Sequence, residues 1–393
     1  MTGRGRRLIL FSAYSTMAML GIYITLYQYT ILSISELFSL NAAVMGLLVG
    51  AQHAGMALPP LFLGVLRGKV GKKRVVLISY CFLVPGTFLA GVTDGPLLFV
   101  TSIVIIGAGF SVAEATVSAV LADEFEGESN RHLNFSQVAF SIGALMGPFI
   151  AQFLIGKGIY FKDLYAFCSV IFLLLGVVFY FTKHSHDIPS EQGSVAPEGI
   201  FQGITRHISG FVKSRVLLLL AAGIFLYVGI ENTIASFSDS YFEVMLKSPA
   251  LSAAALALFW GSMIPSRFLA GLIRIKQKKV FVVLSVLLAV FLVTAMLVNR
   301  PAYKIIFFAL SGFACGPLWP YLMDSAAVRN HGSSGPALNI MFSFCSLGGA
   351  LLPVVSGLIA KSISLSAVYF FCATAALVMI VVWLTANRSK AVI

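Results

Sequence analysis

Apolar residues run along this chain in long unbroken stretches, and polar residues collect in short intervals between them. The stretches lie near 8–32, 43–66, 75–93, 97–121, 132–156, 163–183, 215–242, 250–273, 278–298, 303–327, 335–360 and 364–386. A helix needs roughly 20 apolar residues to cross a hydrocarbon core of about 30 Å, and each stretch meets that need. Continuous apolarity favours helices over a membrane barrel, whose strands alternate in segments of about ten residues. The pattern predicts an all-α membrane protein with twelve transmembrane helices. The longest polar interval, HSHDIPSEQGSVAPEGIFQGITRHISG at 184–210, divides them six and six. The expected organisation is an N-terminal six-helix bundle over 1–183, a cytoplasmic linker over 184–214 and a C-terminal six-helix bundle over 215–393.

The two halves echo each other. GVLRGKVGKK (64–73) aligns with GLIRIKQKK (271–279), sharing glycine, an aliphatic residue, arginine and lysine at the same offsets. GIYIT (21–25) aligns with GIENT (229–233) at nearly the same separation. One parallel duplication explains both, so the bundles are expected to be pseudo-symmetric; this six-plus-six repeat resembles the layout of the major facilitator transporters, which implies a substrate site near mid-membrane between the halves. The small-residue spacings Gly46/Gly50 and Gly143/Gly147 read as scaffold, allowing close helix contact.

Composition agrees: 59% of residues are hydrophobic and 11% charged, against about 25% charged in soluble domains. The net charge of +12 would suggest nucleic acid if it were not so one-sided. With cytoplasmic termini, only Lys157, Lys162, Lys247, Arg300, Lys304 and Lys361 fall on the outer side, and nearly all other basic residues fall inside. That is the positive-inside asymmetry, so the charge reports orientation and no nucleic-acid partner is expected. The basic start RGRRLILF leads into an apolar stretch too long for a signal peptide and without a small-residue cleavage site. The five cysteines all fall in predicted spans without metal-ligand spacing, and His184 and His186 lack companions, so no metal site is expected. Neither a GxxxxGK[ST] motif nor a Ser/His/Asp set is present, so neither an enzyme nor a cofactor is expected.

The loop GVLRGKVGKKR is similar to the loop between spans two and three of the major facilitators, which implies gating roles for Arg67 and Lys69. Where that family has Asp, this chain has Gly68. The stretch GAGFSVAEATVSAVLADEFEGESNRHLNFSQVAFSIGALMGP (107–148) resembles the fucose-galactose-glucose:proton symporter family, matching at Leu133, Asn134, Gln137, Gly147 and Pro148. YVGIEN in span seven, WGSMIPSRFLAG in span eight and GSSGPALNIMFSFCSLGGALLPVVSG (332–357) in span eleven extend the resemblance over most of the chain. It implies the major facilitator fold, cargo contacts at Glu114, Asn134 and Gln137, and the arginine of the family's span-eight segment at Arg267. Fucose permease carries an Asn-Asp pair in span one, whereas GIYITLYQYT (21–30) has no acid, so fucose itself is not implied.

A mid-membrane carboxylate costs about 3 kcal/mol or more on insertion scales, so buried acids usually face a cavity and act there. Glu114 and Glu231 lie deepest, one in each half, and are the candidates for proton coupling together with His53 in GAQHAG. Asn232, Tyr23 and Tyr227 join them as substrate-binding candidates; Trp260 and Trp319 are further aromatics able to stack on a sugar ring. Asp239 and Glu243 are expected at interfacial water near the outer end of span seven. Asp324 is expected to form a gating or structural pair with Arg267 or Arg329. The expected function is a secondary active transporter of the bacterial cytoplasmic membrane, with both termini cytoplasmic, working by alternating access as a proton-coupled symporter of a small polar solute such as a sugar. Its expected partners are that solute, protons and the bilayer, with the protein as a monomer. The alternatives are an exporter of amphipathic compounds working as a proton antiporter, and a transporter-like receptor that does not transport.

Overall fold

The computed structural model describes residues 3–125, 129–182, 200–272, 277–329 and 334–388. Among the described residues there are only helices: α1 Gly3–Leu37, α2 Ala42–Ala57, α3 Pro59–Val70, α4 Lys72–Val92, α5 Pro96–Glu124, α6 Ser129–Gly156, α7 Asp163–Tyr180, α8 Ile200–Lys213, α9 Arg215–Ser240, α10 Pro249–Leu272, α11 Gln277–Leu297, α12 Pro301–Cys315, α13 Leu318–Val328, α14 Ser334–Ser362 and α15 Leu365–Arg388. A π-helical segment, Tyr241–Met245, continues α9. Twelve of the helical stretches are long and apolar enough to cross a membrane, as the hydrophobic pattern predicts.

Three elements differ from the simple pattern, each for a local reason. The second predicted span breaks at Leu58, between α2 and α3. Pro59 restricts the residue before it, and Pro59 and Pro60 bring no N–H to the helix. The tenth breaks at Gly316–Pro317, between α12 and α13, for the same reason. The linker is not wholly irregular: 184–199 lie outside the described residues, but Ile200–Lys213 form α8. Its apolar residues Ile200, Ile204, Ile208 and Phe211 follow the helical period, and Phe211 stacks on Phe344 with centroids 6.2 Å apart.

The chain forms two compact units: Met1–Leu26 with Ala54–Ile204, and Tyr27–His53 with Thr205–Ile393. In the first, α4 packs on α5 and α7. Glycines bring backbones into contact: a Cβ on Gly21 would collide with the Phe140 carbonyl of α6, one on Gly143 with the Ala18 carbonyl of α1, and one on Gly55 with the Val104 carbonyl of α5. In the second, α11 packs on α12 and α15, and α9 is flanked by α14 and α15. There, a Cβ on Gly348 would strike the Phe225 carbonyl of α9, and one on Gly312 the Phe259 carbonyl of α10. Spans one and five thus meet as spans seven and eleven do, and spans two and four as eight and ten do. The repeat read from the sequence is therefore a repeat of packing. Lipid offers no hydrophobic drive between helices, so close van der Waals approach at small residues holds each bundle together. Gly46 and Gly50 of α2, read as scaffold, pack against Pro353 and Ala350 of α14 within the second unit.

Gly143→Leu is expected to lower stability by roughly 1–3 kcal/mol, because the side chain forces α1 and α6 apart. Thermal unfolding in detergent measures it, with Gly156→Leu as the control, since nothing lies within 4 Å of a Cβ there. Equal midpoints for the two variants would refute the packing role.

Candidate functional site

From Tyr227 to Ser240 every residue of α9 is buried, although the stretch holds Glu231, Asn232 and Asp239. Neighbouring residues on a helix point about 100° apart, so Glu231 and Asn232 address different surroundings. Residues four apart share a face, and one turn back from Glu231 the Tyr227 hydroxyl donates to its Oε1 at 2.7 Å. The guanidinium of Arg267 lies within electrostatic reach of the same carboxyl. Arg267 is held in turn by the broken tenth span: its Nε donates to the Gly316 carbonyl at 3.1 Å. In an unbroken helix that carbonyl would accept from residue 320, which is Pro320 and has no N–H. The sequence that breaks the helix therefore creates the acceptor that positions the arginine.

Asn232 belongs to a second group. The Trp260 indole N–H of α10 donates to Gln28 Oε1 of α1 at 3.0 Å, Gln28 Nε2 donates to Asn232 Oδ1 at 3.2 Å, and Asn232 Nδ2 donates to the Val228 carbonyl at 3.0 Å. An indole can only donate, which fixes the orientation of each amide after it. All three side chains are buried, and all lie within the second unit. Gln28 is the functional candidate that reading the sequence missed. A lone amide in the apolar run GIYITLYQYT is the available signal, a weak one because it carries no charge. Gln52 was missed as well: it is fully buried, and neither amide atom has a hydrogen-bond partner among the described residues. The Ser236 hydroxyl of α9 is in the same condition. Buried polar atoms left unpaired cost about 1–3 kcal/mol each, so such positions mark places where a protein meets water or a ligand.

The remaining sequence candidates are distributed as follows. His53 is buried, its Nδ1 3.3 Å from the Val49 carbonyl and its ring against Gly349 of α14. In the first unit, Tyr23 is fully buried and edge-on to Tyr165 and Phe172, both at 6.4 Å. Glu114 and Gln137 are half-buried, and near Glu114 the fully buried Thr116 hydroxyl has no partner among the described residues. The side chains of Asn134, Arg67 and Lys69 lie outside the described residues. Asp324 is exposed and accepts from Gln277 at 3.2 Å, whereas Arg329 donates to Asn387 at 2.7 Å and Arg267 to Gly316. Burial holds the Arg329 guanidinium below its ordinary pKa. Asp239, expected at interfacial water, is instead 3% exposed and accepts from Ser252 of α10. The cause is that the helix does not end there but turns on through Tyr241–Met245, which leaves Glu243 exposed and Asp239 inside.

Residues 8–274 match the family model of the Major Facilitator Superfamily. A putative glucose/galactose transporter of Helicobacter pylori is 25% identical over 282 residues, covering 66% of this chain and 66% of its own length, just under two thirds. The fucose:proton symporter of E. coli superposes with a TM-score of 0.68 at 17% identity, over 97% of this chain and 98% of its own. A nucleoside transporter, NupG, superposes with a TM-score of 0.78 at 14% identity, over 97% and 99%. With twelve apolar helices and this match, the protein is an integral membrane transporter and not an enzyme, and it belongs to the Major Facilitator Superfamily.

Proposed function

We propose that the protein is a secondary active transporter that carries a small polar solute of the monosaccharide type together with protons, by alternating access. The observation that carries this reading is the buried chain Trp260–Gln28–Asn232. An indole face and two amides are the equipment that recognises a hydroxylated ring: the aromatic covers its C–H face, and the amides exchange donors and acceptors with its hydroxyls. A cargo that replaces the Gln28 bonds substitutes one set of hydrogen bonds for another, so neither the indole nor Asn232 is stranded. The name of the Helicobacter pylori relative, a putative glucose/galactose transporter, supports the same cargo class. Gln137 and Asn134 in the first half are taken as further cargo contacts, and Tyr23 with Tyr227 as aromatic support. For the proton we assign Glu114 and Glu231, with His53 as the secondary candidate, because a group that alternates between cavity and burial can gain and lose a proton. Arg67, Lys69, Arg267 and Asp324 are assigned to gating. The Lys/Arg asymmetry supports a bacterial cytoplasmic membrane location with both termini and the 184–214 linker on the cytoplasmic side.

Asn232→Ala is expected to weaken cargo binding by about tenfold or more, the effect of removing a buried hydrogen-bond partner. Ligand-induced thermal shifts over a panel of sugars, nucleosides and amphipathic drugs identify the cargo, and titration calorimetry on the variant then measures the loss. Preferential binding of amphipathic compounds by the parent protein would reject the sugar reading. Glu114→Gln or Glu231→Gln is expected to abolish pH-driven accumulation in proteoliposomes while leaving counterflow intact, since a neutral amide mimics the protonated acid. If both variants still accumulate cargo in response to a pH gradient, neither carboxyl is the coupling group. Lys213→Cys is expected to react with impermeant maleimide only in inverted vesicles; labelling from outside intact cells would reverse the assigned orientation.

A further inference from the structure

Asp239 is a buried carboxylate that the reading above leaves unused. Every element packed around it contributes a group. From α10 comes Ser252, fully buried, whose hydroxyl donates to Asp239 Oδ1. From α15 comes Tyr369, also fully buried and within electrostatic reach of Asp239; its hydroxyl has no hydrogen-bond partner among the described residues. The Tyr369 ring lies 5.1 Å from that of Tyr241, the first residue of the π-helical segment. Lys304 of α12 directs its buried ammonium to the Tyr241 hydroxyl at 3.1 Å and the Ala295 carbonyl at 2.7 Å. From α1 come Tyr29 and Glu36, and from the π-helical segment Glu243. Glu36 and Glu243 are exposed, so the two carboxylates sit at the surface above the buried one.

This arrangement suits a neutral acid and not an anion. A carboxylate only accepts hydrogen bonds, and a buried one needs several donors or a cation. Here the charges acting on Asp239 from its neighbours, Glu36 and Glu243, are themselves acidic. Protonation removes the repulsion and gives Asp239 an O–H of its own. The exposed acids supply the complementary feature, since a negative rim concentrates cations from the adjoining solution.

We propose that Asp239 is a second proton-binding site, entered from the outer side past Glu36 and Glu243, and that its protonation allows the end of α1 to close over the end of α9. The acid takes a proton from outer water when the segment is open and keeps it when closed, so outer acidity favours closure. The closing step belongs to the transport cycle proposed above, and to that extent the assignment rests on it. Asp239 here acts on the closing step and not on the cargo.

Spin labels at Leu37→Cys and Val244→Cys, both exposed positions, report the separation of the two segments by electron–electron distance measurement in lipid nanodiscs, with the exposed Cys81 replaced by Ser. Without cargo or sodium, the short-distance population is expected to fall several-fold from mildly acidic to mildly alkaline pH. Asp239→Asn is expected to hold the short distance at every pH. Glu36→Gln, a variant of an exposed residue, is expected to move the transition to lower pH, since removing a like charge makes the buried acid easier to ionise. A pH-independent distribution in the parent protein, or an unaltered response in Asp239→Asn and Glu36→Gln, overturns the proposal. Recovery of the short distance at alkaline pH on adding sodium also overturns it, by making the ligand a metal cation. A single distance under all conditions, cargo included, strikes the alternating-access reading itself, whereas two distances insensitive to pH strike only the role of Asp239.

Discussion

The hydrocarbon core offers no water to backbone amides and carbonyls, and every other feature of this structure follows from that constraint. Helices answer it within each segment, but they must then adhere without a hydrophobic drive. The glycines at the helix contacts supply the adhesion by letting one backbone lie on another, as Gly143 lies on Ala18 and Gly312 on Phe259. Where proline removes an amide, the freed carbonyl must find another donor, and at Gly316 that donor is Arg267. A structural defect in the tenth span thereby becomes the anchor for a charge that acts on Glu231.

The fold was legible in the sequence because its signal is additive. Twelve runs of apolar residues each satisfy the same length condition, and the error at any one boundary does not alter the count. The pseudo-repeat was legible for a related reason: GIYIT and GIENT preserve the glycine that each bundle uses at an equivalent helix contact, Gly21 against α6 and Gly229 against Leu352 of α14. The breaks at Leu58 and Gly316 were written plainly in the prolines, yet continuous apolarity on both sides concealed them.

The site was less legible, because membership depends on direction and not on residue type. Glu231 and Asn232 stand next to each other in sequence but serve separate groups, and only the helical angle between them shows it. Tyr23 and Tyr27 are one turn apart in GIYITLYQYT, yet Tyr23 lies among the aromatic rings of the first unit, whereas the Tyr27 hydroxyl donates to the Leu48 carbonyl at 2.5 Å in the second. Gln28 was overlooked because an amide carries no charge to draw notice. In a medium without water its hydrogen-bonding sites are nevertheless as demanding as an acid, and two of the four are met by residues more than 200 positions away. Asp239 was misplaced because a π-helical turn has no strong sequence signature, and one added turn is enough to carry a carboxylate from surface to interior.

The hydrogen-bond chain from Trp260 to Val228 runs in one direction only: a donor that cannot accept stands at its head, and an acceptor that cannot donate at its foot. It therefore has a polarity that no rotation of the amides can reverse. If cargo takes the place of Gln28, as proposed, the indole presents a bare N–H and Asn232 a bare carbonyl oxygen, so the arriving molecule must offer an acceptor at one end and a hydrogen at the other. A free hydroxyl satisfies either end, whereas a methyl ether satisfies only the indole. Methylated analogues of one cargo consequently sort by the position of the methyl group, and the order of their affinities reads out which way round the molecule is held.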